Sequence, residues 1–146
     1  MDNETLAEKL KVILASAVSL GLKAQNYHWN VTGRNFGEYH VLFGDYYAEV
    51  SKFVDIYAEH IRQIGVFAPG SLSRFSELSR IQDEMNIPVD TVMISRLAKD
   101  NKIFLNLLNQ IHPAAEEAGD LGLVATIEDA IRYHSKMQWM LESYSS

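Results

Sequence analysis

The chain has 146 residues, 47% of them hydrophobic and 22% charged, and it contains no cysteine. That length predicts one domain, residues 1–146, able to bury roughly two-thirds of the surface its unfolded form exposes. Thirteen Lys and Arg against 19 Asp and Glu give a net charge of −6, which argues against nucleic acid or an anionic membrane as the main partner, while the missing cysteines exclude disulfide scaffolds, thiolate zinc sites and Cys nucleophiles.

In chain order, Thr5 and Glu8 stand at capping-box spacing. Apolar residues then recur every three or four positions: Leu6, Leu10, Ile13, Ala17, Leu20, Ala24, Tyr27 and Val31. A second line of Leu14, Val18 and Leu22 widens the face that this helix is expected to bury. The apolar run at residues 12–22 is too short to span a bilayer. It follows Asp2, Glu4 and Glu8 rather than a basic leader, so the expected setting is cytoplasmic, with no membrane partner. Thr32-Gly33-Arg34-Asn35 stops the helix. A second helix is predicted over residues 37–65, ending where Gly65 can take the left-handed conformation. Pro69-Gly70 marks a loop, and residues 71–80 read as a short helix. Pro88-Val89-Asp90 opens a third long helix through Met93, Leu97, Phe104, Leu107, Leu108 and Ile111, with a stop expected at His112-Pro113. The last helix is predicted over residues 121–143, with Val124, Ile127, Ile131, Met137 and Leu141 as its spine. No stretch alternates with period two. The expectation is all-α: a four-helix bundle with a short extra helix between the second and third long ones.

The second helix projects onto three sectors. At 100° per residue with His40 at zero, Tyr39, Phe43, Tyr46, Val50, Phe53, Tyr57, Ile61 and Ile64 fall within roughly −60° to −140°, a core stripe. Asp45, Glu49, Lys52 and His60 fall at about 120° to 200°, a solvent face. The third sector, about −20° to 100°, holds His40, Gly44, Tyr47, Ala48, Ser51, Asp55, Glu59 and Arg62. Its middle is small and smooth, and titratable groups stand at both ends.

Asp55 and Glu59, four residues apart, stack their carboxylates on one side of the helix. They read either as a solvated acidic pair, with Arg62 bridging to Glu59, or as hard oxygen ligands for a cation. His40 precedes Asp55 by 15 residues, about 22 Å along a straight helix, so one chain cannot bring both to the same ion. An antiparallel hairpin does bring His28, near the end of the first helix, to His40. Each chain then offers an imidazole pair at one end and a carboxylate pair at the other. A two-fold contact across the smooth middle would complete two identical mixed sites. Taken singly, either histidine is more often a hydrogen-bonded structural residue than a ligand, and it is their common face that brings the metal reading level with the structural one.

These residues carry a resemblance. Tyr27-His28-Trp29-Asn30-Val31-Thr32-Gly33, Asn35-Phe36, His40 and Asp55-Ile-Tyr-Ala-Glu59-His-Ile-Arg62-Gln-Ile-Gly65 resemble the Dps family of ferritin-like mini-ferritins, and the interval His-x11-His-x14-Asp-x3-Glu is met without a gap. Ser71-Leu-Ser-Arg-Phe-Ser-Glu77-Leu-Ser is similar to that family's short helix, and His134-Ser-Lys136-Met-Gln-Trp139-Met-Leu to its closing motif. The resemblance implies a ferritin-like bundle assembled as a homo-oligomeric, twelve-subunit hollow shell. It implies iron as the metal, with His28 and His40 as ligands from one subunit, Asp55 and Glu59 as ligands from the partner, and Trp29 as the nearby aromatic. Fe(II) is then oxidised to Fe(III), with hydrogen peroxide preferred over dioxygen, and ferric mineral is stored in the shell.

The sequence departs from the family at two places. Many members carry a further acid four residues after the second histidine, where this chain has Gly44, and Asp45 lies about 100° away around the helix. Asp120 matches one acid of the family's ion entrance, with Glu116, Glu117 and Glu128 nearby, but Leu123 and Ala125 occupy positions that are often polar. DNA-binding members use a basic tail. Residues 1–10 hold one lysine and three acids, so DNA binding is not expected. The alternative to a ferroxidase is a non-catalytic ferritin-like shell or helical interaction protein with a weakened centre. A site inside each bundle would need Glu-x-x-His pairs, and none of the 19 acids has a histidine three residues later.

Overall fold

The computed structural model describes residues 2–145; Met1 and Ser146, which belong to the terminal segments read above for charge and domain extent, lie outside the described residues. Five helices follow one another: α1 (Asn3–Asn30), α2 (Phe36–Gln63), α3 (Leu72–Leu78), α4 (Asp90–Glu117) and α5 (Leu121–Ser143). Among the described residues there is no strand. α1 pairs with α2 and α4 with α5; the two hairpins close through α1 against α4 and α2 against α5, while the short α3 rests on α1. This is the expected bundle with its extra helix.

Every residue of the first apolar line on α1, from Leu6 to Val31, is buried. Each such Leu or Ile stabilises the fold by roughly 1.5–3 kcal/mol. The second line holds at Leu14 and fades outward, with Val18 half-buried and Leu22 49% exposed. The α2 core stripe is buried or half-buried throughout. α1 begins earlier than the capping box suggests: Asp2 is the cap, its carboxylate accepting the Thr5 backbone N–H at 2.8 Å.

α4 runs past the stop expected at His112-Pro113 and ends at Glu117, with Pro113 inside it. Proline forfeits one backbone bond in a helix, but Ala114 and Ala115 behind it are buried and keep the last turn packed. The true stop is Gly119, at φ +69°, where the Asp120 N–H reaches the Ala115 carbonyl and the Gly119 N–H that of Glu116. Gly65 closes α2 by the same paired bonds at φ +91°, as its position predicts.

Polar groups inside the bundle are mostly paired. Lys23 on α1 and Asp100 on α4 form a buried ion pair at 2.6 Å, and Lys23 also donates to the Gln82 carbonyl at 2.9 Å. Tyr57 is the exception: its ring packs near Phe53 and Phe104, and its buried hydroxyl has no hydrogen-bond partner among the described residues. An unsatisfied buried hydroxyl costs about 1–3 kcal/mol. Tyr57→Phe is therefore expected to raise stability by about 1 kcal/mol, read as a higher urea midpoint with unchanged slope. A lower midpoint would show that the hydroxyl is satisfied after all.

Candidate metal centre

The α1–α2 hairpin brings His28, in the last turn of α1, against His40, in the second turn of α2. Their rings stack with centroids 3.9 Å apart and planes 15° from parallel. Two reciprocal bonds lock them: His28 Nδ1 lies 2.6 Å from the His40 carbonyl oxygen, and His40 Nδ1 lies 2.7 Å from that of His28. A carbonyl oxygen only accepts, so each Nδ1 carries the proton. In the neutral ring, Nε2 then keeps its lone pair for a metal. Phe36 stacks on the outer side of His40 at 5.1 Å, and Trp29, beside His28, is 63% exposed.

At the other end of α2, Asp55 and Glu59 are exposed and make no hydrogen bond or ion pair among the described residues. The bridge from Arg62 to Glu59 does not form. Arg62 instead donates to the Val66 carbonyl at 3.1 Å and lies 4.4 Å over the Phe67 ring. The strip between the two ends is open: Ala48 and Ser51 are exposed and Gly44 and Tyr47 half-buried. Val41 and Ile56 add exposed apolar surface at its margin. Among the described residues, no three His, Asp or Glu side chains of one chain converge as a metal cluster. The structure thus brings the two histidines together and leaves the two acids apart from them, on the same uninterrupted helix.

His60 departs from its sequence reading. The projection puts it on the solvent face, yet it is buried, because the start of α5 covers it. Its Nε2 lies 2.6 Å from Asp120 Oδ2, while Asp120 Oδ1 accepts the Leu123 N–H at 3.1 Å to cap α5. Asp120 therefore has both carboxylate oxygens engaged. Leu123 is fully buried. Sequence reasoning also missed the link from Tyr27 to Glu84, whose carboxylate accepts the Tyr27 hydroxyl at 2.8 Å and pairs with Arg96 at 2.7 Å. That link ties the end of α1, next to His28, to the segment before α4.

The ferritin-like domain family matches residues 7–146. The DNA protection during starvation protein of Helicobacter pylori is 30% identical over 138 residues, covering 94% of this chain and 96% of that one. Its namesake in Brevibacillus brevis is 31% identical over 134 residues, covering 90% and 88%. The chain belongs to the Dps family. The crystal structure of the Dps protein from Vibrio cholerae O1, a member of a broad superfamily of ferritin-like diiron-carboxylate proteins, superposes on this Dps chain with a TM-score of 0.95 at 27% identity, covering 99% of this chain and 91% of that one. Membership places the chain among proteins of iron storage and iron oxidation in general. No helix among the described residues is long and apolar enough to cross a membrane.

Proposed function

We propose that this Dps chain is a ferroxidase and iron store whose centres form between subunits. His28 and His40 of one copy and Asp55 and Glu59 of a two-fold mate hold Fe(II), with Trp29 alongside. The observation that carries the reading is the reciprocal pair of Nδ1–H···O=C bonds, which in the neutral rings leaves both Nε2 lone pairs free, together with two acids at the far end of one helix that have no partner among the described residues.

The donor set suits the substrate. Imidazole nitrogen and carboxylate oxygen accept Fe(II) without imposing the tetrahedral geometry of thiolates, and anionic oxygen favours the Fe(III) product. Hydrogen peroxide is the oxidant in this reading: it takes one electron from each of two Fe(II) ions and leaves as water or oxide. The chain contributes fixed ligand directions and open positions where peroxide reaches the metal. Ferric product collects in a shell assembled as a dodecamer of two-fold dimers, in the cytoplasm. Asp120, with Glu116, Glu117 and Glu128 near it in sequence, supplies negative potential for ion entry. The net charge of −6 leaves DNA out of the proposed partners. The missing acid at Gly44 is what favours the other reading, a non-catalytic shell.

Fe(II) oxidation by peroxide, followed by absorbance, tests the reading. Asp55→Ala with Glu59→Ala is expected to lose the fast phase while keeping the assembly size of the unaltered protein. Equal rates in the two proteins would eliminate the proposed centre.

A further inference from the structure

Gly44 lies one turn after His40 inside α2, where glycine is a poor helix former. A Cβ at this position would stand 2.7 Å from Cε1 and 2.8 Å from Nδ1 of His28. Non-bonded carbons sit at roughly 3.5–4.0 Å, so the imidazole occupies the space that a side chain would need. A loosely held ring would swing aside at little cost. This ring is not loosely held, because its Nδ1–H donates to the His40 carbonyl at 2.6 Å and its face lies on His40. Moving away from a Cβ would break that bond and part the stack. Gly37, on the same helix, has nothing within 4 Å of its own built Cβ, so the constraint belongs to position 44.

We propose that Gly44 is a positioning residue for the imidazole half-site, an inference that rests on the metal-centre reading above. By lacking a side chain it leaves the space in which His28 seats against α2, where the His40 carbonyl accepts from Nδ1–H and Nε2 of the neutral ring keeps its lone pair. It also withholds any ligand of its own. This end of each chain therefore gives two neutral nitrogens, and the negative charge of the centre comes from the acids of the second copy.

The test compares Gly44→Ala with Gly37→Ala, each made in the native chain and in a His28→Ala chain. Co(II) titration reads the site, histidine-selective ¹⁵N NMR reads the imidazole tautomers in metal-free protein, and light scattering reads assembly. In the native chain, Gly44→Ala is expected to weaken Co(II) binding about tenfold, the scale for disturbing a group that orients a ligand. It also moves the His28 nitrogens away from the Nδ1–H pattern, and Gly37→Ala does neither. In the His28→Ala chain, Gly44→Ala leaves the residual Co(II) affinity within about twofold, because its target is gone, and raises the melting midpoint through better helix propensity. Native affinity with an unmoved His28 signature in Gly44→Ala would overturn the proposal. So would an equal loss of affinity in both backgrounds, or a loss of assembly in both, which would give the glycine to the contact between copies. Should Asp55→Ala with Glu59→Ala bind Co(II) as the native protein does, the centre itself is wrong, and the metal-free NMR comparison still decides what seats His28.

Discussion

Two disabled chains, assembled together, are expected to recover an Fe(II) oxidation that neither supports alone. One chain carries His28→Ala and His40→Ala, the other Asp55→Ala and Glu59→Ala. Alone, each builds centres with half the ligands missing. Disturbing only the groups that orient a ligand already costs about 10–100-fold, so removing two ligands costs at least that much. In a mixed two-fold dimer, one centre joins the surviving histidines to the surviving acids and is complete, while its twin has no ligands at all. Random pairing makes half of all dimers mixed, so recovery should reach about a quarter of the native number of centres. The argument needs only α2, which runs unbroken from Phe36 to Gln63 and holds His40 and Asp55 about 22 Å apart. Co-expression with two affinity tags isolates the mixed assemblies. If they form and stay as inactive as their parents, the centre does not span two copies.

Much of this site is written in spacing. A helix repeats its faces, so the core stripe of α2 and the odd sector beside it follow from the order of residues alone. The interval from His28 to His40 is a hairpin's worth of chain, and that was enough to pair them. The reciprocal Nδ1 bonds were not legible, since they depend on the depth at which α1 meets α2. Nor was the reason for Gly44, which lies in another helix's side chain rather than its own.

The misread residues share one cause. His60 projects at about 200°, and a projection knows the azimuth of a residue but not which neighbour overhangs it; the start of α5 overhangs this one. The buried pair of Lys23 and Asp100 is invisible to the sequence for the same reason, because it exists only once α1 and α4 are packed. Pro113 reads as a stop because its local cost is certain, whereas the burial of Ala114 and Ala115 that outweighs it is tertiary. The cap of α1 is a separate, local matter: aspartate is a stronger N-cap than threonine, and Asp2 takes the role by accepting the Thr5 N–H.

Acid is expected to loosen the fold through His134, a residue whose motif drew notice for its family likeness rather than for its burial. Its imidazole is enclosed by Phe104, Tyr46 and Tyr133. Nδ1–H donates to Asn101 Oδ1 at 2.6 Å, an oxygen that also accepts the Tyr46 hydroxyl at 2.9 Å, while Asn101 Nδ2 donates to the His134 carbonyl and to Gln138. This network is complete with a neutral ring. Burial pulls the His134 pKa down from 6.5 to about 3. The unfolded chain therefore binds a proton that the folded chain refuses throughout that window. Stability is full above about pH 6.5 and falls as the solution is acidified, by about 1.4 kcal/mol per pH unit, or on the order of 2 kcal/mol at pH 5. Glu84 acts in more acid solution: burial pulls its carboxyl upward, but the bonds from Arg96 and Tyr27 prevail and hold it below its usual range. His134→Gln keeps an N–H for Asn101 and removes the titration. Urea midpoints taken from pH 7 to pH 5 at one protein concentration should fall steeply in the native protein and much less in this variant, whatever its starting stability. Parallel declines in the two proteins would move the acid sensitivity to other groups and leave His134 a packing residue only.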